Sequence, residues 1–264
     1  MKVSYNKSKN LLSTNNAKTI KGEKLGYTTY IMYLAPYTQN SKGINLCSHA
    51  SKGCAKACLF SSGAARFDRV QQGKIDKTEW FLDNRVEFLE KLDAEITAIK
   101  NKAKHQTTEN IPTIRLNGTS DIPFEKFKIR DGKNIFELHP TVQFYDYTKN
   151  YIRFEKEQAP NYHLTFSMSE TNKDKSLELL GKGFNVAMVF GVKQVTDLPT
   201  EYLGYKVING DESDLRFLDD KNVIVGLKYK LLTGKDTKGV NKDNVENNDF
   251  IINVENIVQH KDVA

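Results

Sequence analysis

Two periodicities alternate along the chain. In short stretches apolar residues fall at every second position, and between them lie longer stretches where they recur at three, four or seven. Residues 28–35 (TTYIMYLA) are β-branched and aromatic and read as a first strand. Further strands are expected at 113–118, 142–147, 163–169, 185–190, 205–209 and 223–229, with a last one near 249–254. Phe81, Phe88, Leu92, Ile96, Ile99 and Ala103 share one face of a long helix, roughly 77–104, and Asp76 with Glu79 has the form of a capping box at its start. The polar stretch Gln106–Asn110 ends that helix, and Pro112 opens the next strand, where proline is tolerated. Asn172 is placed to cap a short helix carrying Leu177, Leu179 and Leu180, closed by Gly181 and Gly183.

Strands separated by helices or long connections argue for parallel βα units. Connections such as 191–204 look too irregular for a full helix. The expectation is therefore an α/β fold, an irregular or partial (β/α) barrel made of one domain, 1–264. Residues 1–25 form an N-terminal extension, and 233–248, rich in Lys, Asp and Asn, read as a flexible loop.

The strands are not apolar on both faces, as strands buried between helices would be. Arg115, Asn117 and Thr119 fall on one side of the second strand, with Ile114 and Leu116 on the other. Thr165, Ser167 and Ser169 repeat this in the fourth. A barrel-like interior that is polar near one mouth would account for the pattern. Polar clusters also follow the strands: Asn117–Asp121, Tyr145–Lys149, Ser167–Thr171, Asp211–Asp214, and Lys228 with Lys230. In β/α folds that rim carries function.

Composition narrows the picture only a little. Lys plus Arg is 39 and Asp plus Glu 33, a net charge of +6. That permits contact with nucleic acid or an anionic molecule, but the basic residues are spread along the chain and nucleic acid is not the favoured partner. No apolar run is long enough to span a bilayer, and the polar N-terminus lacks a secretion signal, so a cytoplasmic protein without membrane contact is expected.

The cysteines carry the clearest chemistry. Cys47, Cys54 and Cys58 are the only three in the chain, and all lie within twelve residues. In a cytoplasmic protein so tight a set reads as metal ligands rather than a disulfide framework. Thiolates suit iron–sulfur clusters and zinc. Three would hold a [4Fe-4S] cluster and leave one iron open to a small-molecule ligand or cofactor. With His49 they would instead make a structural Cys3His zinc site. Gly53, Ala50, Ala55 and Ala57 keep the loop slim, and Lys52 and Lys56 would offset thiolate charge.

A three-cysteine loop after a first β/α strand resembles the radical S-adenosylmethionine enzymes. This sequence has Cys-x6-Cys-x3-Cys where that family has C-x3-C-x2-C, and Ala57 where an aromatic residue usually precedes the last cysteine. The resemblance implies a radical-SAM/TIM-like architecture and S-adenosylmethionine as a candidate ligand of the open iron. A longer resemblance, from about Leu46 to Lys230, rests on GCAKAC, RLNGTSD, FYDYTK, LTFSMSE, GDESDLRFLD and VIVGLKYK. These motifs resemble the phage gene product 88 family, of unassigned function. That implies a phage protein in the host cytoplasm and supplies no reaction.

Asn117, Thr119, Asp121, Asp146, Lys149, Ser169, Asp211 and Asp214 are the rim residues expected to shape a cofactor pocket above the open iron. Asp146 needs a partner if buried, and Arg115 on the neighbouring strand is the candidate. Tyr145 and Tyr147 read as core, and His163 as a satisfied interior histidine. The rival reading is a non-enzymatic module with a structural metal that contacts nucleic acid or a host protein.

Overall fold

The computed structural model describes residues 4–14, 17–58, 65, 67–105, 110–232 and 237–254. Among the described residues ten strands form one sheet: β1 (Leu12–Ser13), β2 (Tyr27–Met32), β3 (Ile111–Arg115), β4 (Gln143–Thr148), β5 (Tyr162–Ser167), β6 (Val186–Phe190), β7 (Glu201–Tyr202), β8 (Tyr205–Asn209), β9 (Ile224–Lys228) and β10 (Ile251–Ile252). Their order is β1-β2-β3-β4-β5-β6-β9-β8-β7, with β10 paired to β6. From β2 to β8 every ladder is parallel, and only the end strands β1 and β7 run antiparallel to their neighbours. The expected α/β class and parallel sheet are present. The sheet has two distinct ends and stays open, so it is no closed barrel.

The described residues form seven helices: α1 (Ala17–Glu23), α2 (Lys52–Lys56), α3 (Asp68–Asp83), α4 (Arg85–His105), α5 (Ile135–Leu138), α6 (Lys173–Gly181) and α7 (Thr237–Asn247). One sheet face is covered by α3, α4 and α6. Trp80, Phe81, Phe88, Leu92 and Ile96 of α3 and α4 pack on Ile114, Leu116, Phe144 and Leu164 of the strands. Leu179 and Leu180 of α6 pack on Phe166, Val186, Met188 and Ile224. Each such side chain contributes about 1.5–3 kcal/mol when fully buried.

The opposite face carries Arg115, Tyr145, Tyr147, His163 and Thr165, because side chains alternate along each strand. It is covered by the segment after β8. Phe217 of that segment sits edge-on to Tyr27 at 5.3 Å and tilts against Tyr145 at 5.7 Å.

Several helical expectations change. The single helix expected over 77–104 is two, α3 beginning earlier and α4 restarting after Asn84. Asn84 Oδ1 accepts from Glu87 N at 3.3 Å and starts the second helix. Asp76 and Glu79 form no capping box: both lie inside α3, and Glu79 accepts from Ser41 N and Oγ instead. Asn172 is the N-cap residue of α6, as expected, but its Oδ1 accepts from Ser169 N at 2.7 Å instead of from a helix amide. The glycine end of α6 is as expected, with Gly183 at φ +88° and Phe184 N bonded to Leu179 O at 3.0 Å. Of the loop expected at 233–248, residues 233–236 lie outside the described residues, and Thr237–Asn247 is the helix α7.

Candidate functional site

The cysteine loop follows β2 and is fixed from several sides before any ligand is considered. Glu79 holds Ser41 at its start. Leu46 O accepts from Asp121 N at 2.9 Å, which ties the loop to the turn after β3. Ser51 caps α2 by accepting from Cys54 N at 3.1 Å, and its own hydroxyl donates to Glu170 Oε2 at 2.6 Å. Glu170 Oε1 accepts from Gly53 N at 2.7 Å, and Gly53 O accepts from Asn248 Nδ2 at 3.1 Å. A Cβ at Gly53 would lie 2.2 Å from Asn248 Oδ1 and 2.9 Å from Phe250 Cβ, so glycine is required because α2 is pressed against both. Lys56 is paired with Asp243 of α7.

All three cysteines are partly buried. Cys47 Sγ faces Thr119 O at 3.7 Å. Burial pushes its thiol up to about 12, and Cys58, Asp121 and Cys54 all add to the shift against the opposing hydrogen bond at Tyr37. Cys47 therefore lies within the field of the other two. Cys54 packs among Ala57, Tyr229, Phe250 and Ile251. Cys58 lies in the field of Lys74, a buried lysine of α3 whose ammonium stands 5.6 Å from the Tyr33 ring centroid. The thiols share one loop, but no group of three or more His, Cys, Asp or Glu among the described residues is arranged to hold a metal ion. The donor chemistry suits a thiophilic metal, and closing the set requires the loop to draw together. His49, the fourth ligand of the zinc alternative, is bonded through Nδ1 to Ser48 Oγ at 2.9 Å.

Around Cys47 the turn after β3 is held by a buried network. Asp146 is fully buried, and accepts from Asn117 N at 2.7 Å, Asn117 Nδ2 at 3.1 Å and Tyr162 OH at 3.0 Å. Asn117 Oδ1 in turn accepts from Ser120 Oγ and Ile122 N. Burial raises the Asp146 carboxyl to about 6, against the opposing bonds and the charges of Arg115 and Arg153. Asp121 accepts from Lys149 N at 2.9 Å and from Arg153 Nη1 at 3.3 Å. Thr119 Oγ1 donates to Leu34 O, and Lys149 Nζ donates to Ser167 Oγ at 2.6 Å. Ser169 is buried, its hydroxyl 3.3 Å from Thr171 Oγ1.

Asn117, Thr119, Asp121, Asp146 and Lys149 are thus brought together beside Cys47. Asp211 and Asp214 go elsewhere. Asp211 accepts from Lys228 N and pairs with Lys230, fixing the end of β9. Asp214 pairs with Arg115 at 2.8 Å and accepts from the hydroxyls of Tyr145 and Tyr147. The expected Arg115–Asp146 pair does not form. Ile114 is in register with Phe144, so Asp146 lies on the same face as Phe144 and opposite Arg115. His163 is not satisfied either, since its Nε2 has no partner.

Sequence reasoning passed over Glu170 as an anchor, Arg153 as the clamp of Asp121 and Glu125, and Lys74 beside Cys58. For Lys74 a signal existed: it stands seven residues before Phe81, on the same helical stripe. Glu170 falls in the polar cluster Ser167–Thr171 and reads from sequence as a ligand contact rather than an anchor, and for Arg153 nothing local distinguishes it from surface charge.

Fold and site together define an open α/β protein whose thiol-bearing loop sits over the C-terminal ends of its parallel strands. The family model for Gene product 88 matches residues 10–243, and the chain belongs to that family, a phage-type group. No curated protein and no solved structure matches it.

Proposed function

We propose that Cys47, Cys54 and Cys58 bind a [4Fe-4S] cluster that leaves one iron open to a small molecule, in a phage protein working in the host cytoplasm. The observation that carries this reading is the clustering of the chain's only three cysteines in the one loop that follows β2. Cys47 lies within the electrostatic reach of the other two and beside Thr119 and Asp121 at the strand ends. Neighbouring thiolates repel, and a bound metal removes that repulsion. Lys74 beside Cys58 further offsets their charge. When bound, such a cluster supplies a Lewis-acidic iron with a free coordination position. This chain's part is to hold the thiols and to shape the rim with Asn117, Asp121 and Lys149. S-adenosylmethionine is the candidate ligand of that iron and would make the protein a radical enzyme.

The test is anaerobic purification with iron, sulfide and zinc analysis and an electron paramagnetic resonance spectrum. Iron and sulfide in equal amounts, lost in Cys58→Ser, are expected. Zinc without sulfide would replace this reading with the Cys3His site and a non-enzymatic module. Full metal content in Cys58→Ser would remove the ligand assignment. Cleavage of S-adenosylmethionine by the reduced protein would establish the enzyme, and colour without cleavage would leave a cluster protein of other chemistry.

A further inference from the structure

Seven buried side-chain nitrogen and oxygen atoms among the described residues have no hydrogen-bond partner. Six belong to one sheet face and the segment covering it: Arg115 Nε, His163 Nε2, Thr165 Oγ1, Arg216 Nε and Nη1, and Asp219 Oδ2. Folded proteins leave few such atoms, because each forfeits its hydration without a replacement. Six in one region call for a common cause.

They are close in space. Arg115 stacks over the Tyr147 ring at 4.6 Å, and Tyr145 and Tyr147 are in register with His163 and Thr165. Arg216 acts electrostatically on both His163 and Tyr147. Arg115 is matched by Asp214, but Arg216, only 2% exposed, has one direct hydrogen bond, to Ser213 O at 2.6 Å. Asp219 Oδ2 lies 3.2 Å from Arg216 Nη1, yet neither atom is satisfied, so the two are close but badly aligned.

Donors dominate among these atoms. Three guanidinium nitrogens and the Thr165 hydroxyl are donors against a single carboxylate oxygen, and His163 Nε2 serves either way. The complement of such a set is a group rich in acceptors and negatively charged, a carboxylate or a phosphate. We propose that Arg216 and Arg115, with Thr165 and His163, hold the carboxylate or phosphate of a small molecule, and that Asp219 stands in for that anion until displaced. The side chains of Asp219 and Arg115 are 12% and 14% exposed, so the site reaches solvent at their edge and Asp219 can swing outward. The same face leads through Tyr33 and Lys74 toward Cys58. The inference names a ligand class for the metal-bearing rim and rests on the metal reading for that role alone.

Isothermal titration of the full metal-free chain with inorganic phosphate and with succinate, at constant ionic strength set by chloride, tests it. Saturable binding of at least one is expected, and which one identifies the group. Arg216→Lys keeps the charge but loses the planar fork, and should weaken binding about tenfold. Asp219→Asn removes the competitor and should tighten binding several-fold, an effect that a purely structural Asp219 would not give. No saturable binding of either anion, an unchanged affinity in folded Arg216→Lys, or a weaker one in Asp219→Asn would each overturn the site. Anion binding without metal uptake would keep this site and remove the cluster, and the reverse would keep the cluster and remove this site.

Discussion

At the scale of single residues, the polar side chains inside this fold set its response to acid. Burial, aided by the charge of Arg216, lowers the His163 imidazole to about 4. The folded state therefore favours neutral His163. The stability this represents is present above the ordinary histidine value near pH 6.5 and is lost as pH falls through about 4, on the order of 3 kcal/mol. Asp146 works the other way. Its carboxyl is raised to about 6, so its contribution is full below the ordinary aspartate value near 4 and is lost as pH rises through about 6. Between those limits the two oppose each other. His163→Gln should flatten the acid limb of stability measured by denaturant titration from pH 7 to pH 4; a limb as steep as the parent's would show that His163 does not drive it. Gly53 is the other exacting position. Gly53→Ala must push Phe250 and Asn248 off α2, and should cost about 1–3 kcal/mol in the same measurement, with the metal uptake proposed for the loop falling alongside.

At the scale of elements, strands were legible and polar helices were not. All eight strand expectations meet a strand, because alternation with β-branched and aromatic residues is a strong local signal. The break at Asn84 was hidden because a capping asparagine looks like any polar residue on a helix surface. Helix α7 escaped for a different reason: its buried contacts are made by asparagines rather than an apolar stripe. Asn244 is fully buried, donates to Tyr229 OH at 2.9 Å and accepts from Asn248 Nδ2 at 3.1 Å. Asn241 bonds Tyr229 OH and both backbone groups of Leu232. Hydrophobic periodicity cannot see such a helix. Asn244→Ala should cost about 1–3 kcal/mol by leaving buried partners unmade, and should loosen the Asn248–Gly53 link to the cysteine loop. The clustering of the cysteines in one loop was legible from spacing alone, whereas Glu170 and Lys74 become neighbours of that loop only through the fold. In the apolar layer Phe88 is fully buried between Trp80 and Phe81, so Phe88→Ala should cost about 3–5 kcal/mol in thermal or chemical unfolding.

At the scale of the whole molecule, one local rearrangement of the sheet connects the C-terminal segment to the cysteine loop. β5 pairs with β6 only at Phe166–Val186 and Ser167–Ala187. Beyond that point β10 pairs with β6, placing Ile251 against Val189 and Ile252 against Phe190. The end of β5 is thereby released, and Glu170 just beyond it holds Ser51 and Gly53. Phe250 and Asn248, beside β10, complete the same seat. A chain that lost β10 would keep the helical layer on β3 and β4, whose apolar contacts are made elsewhere. Ile251→Asp, which puts a charge on a side chain 4% exposed, tests that division. Hydrogen exchange should show lost protection at Gly191 and Ile251, whose amides bond Ile252 O and Asn248 O, while β3 and β4 amides keep theirs. The metal content proposed for the cysteine loop should fall with the loss at Gly191. Uniform loss across the sheet would mean that the molecule opens as one unit, and that the cysteine loop has no separate support to lose.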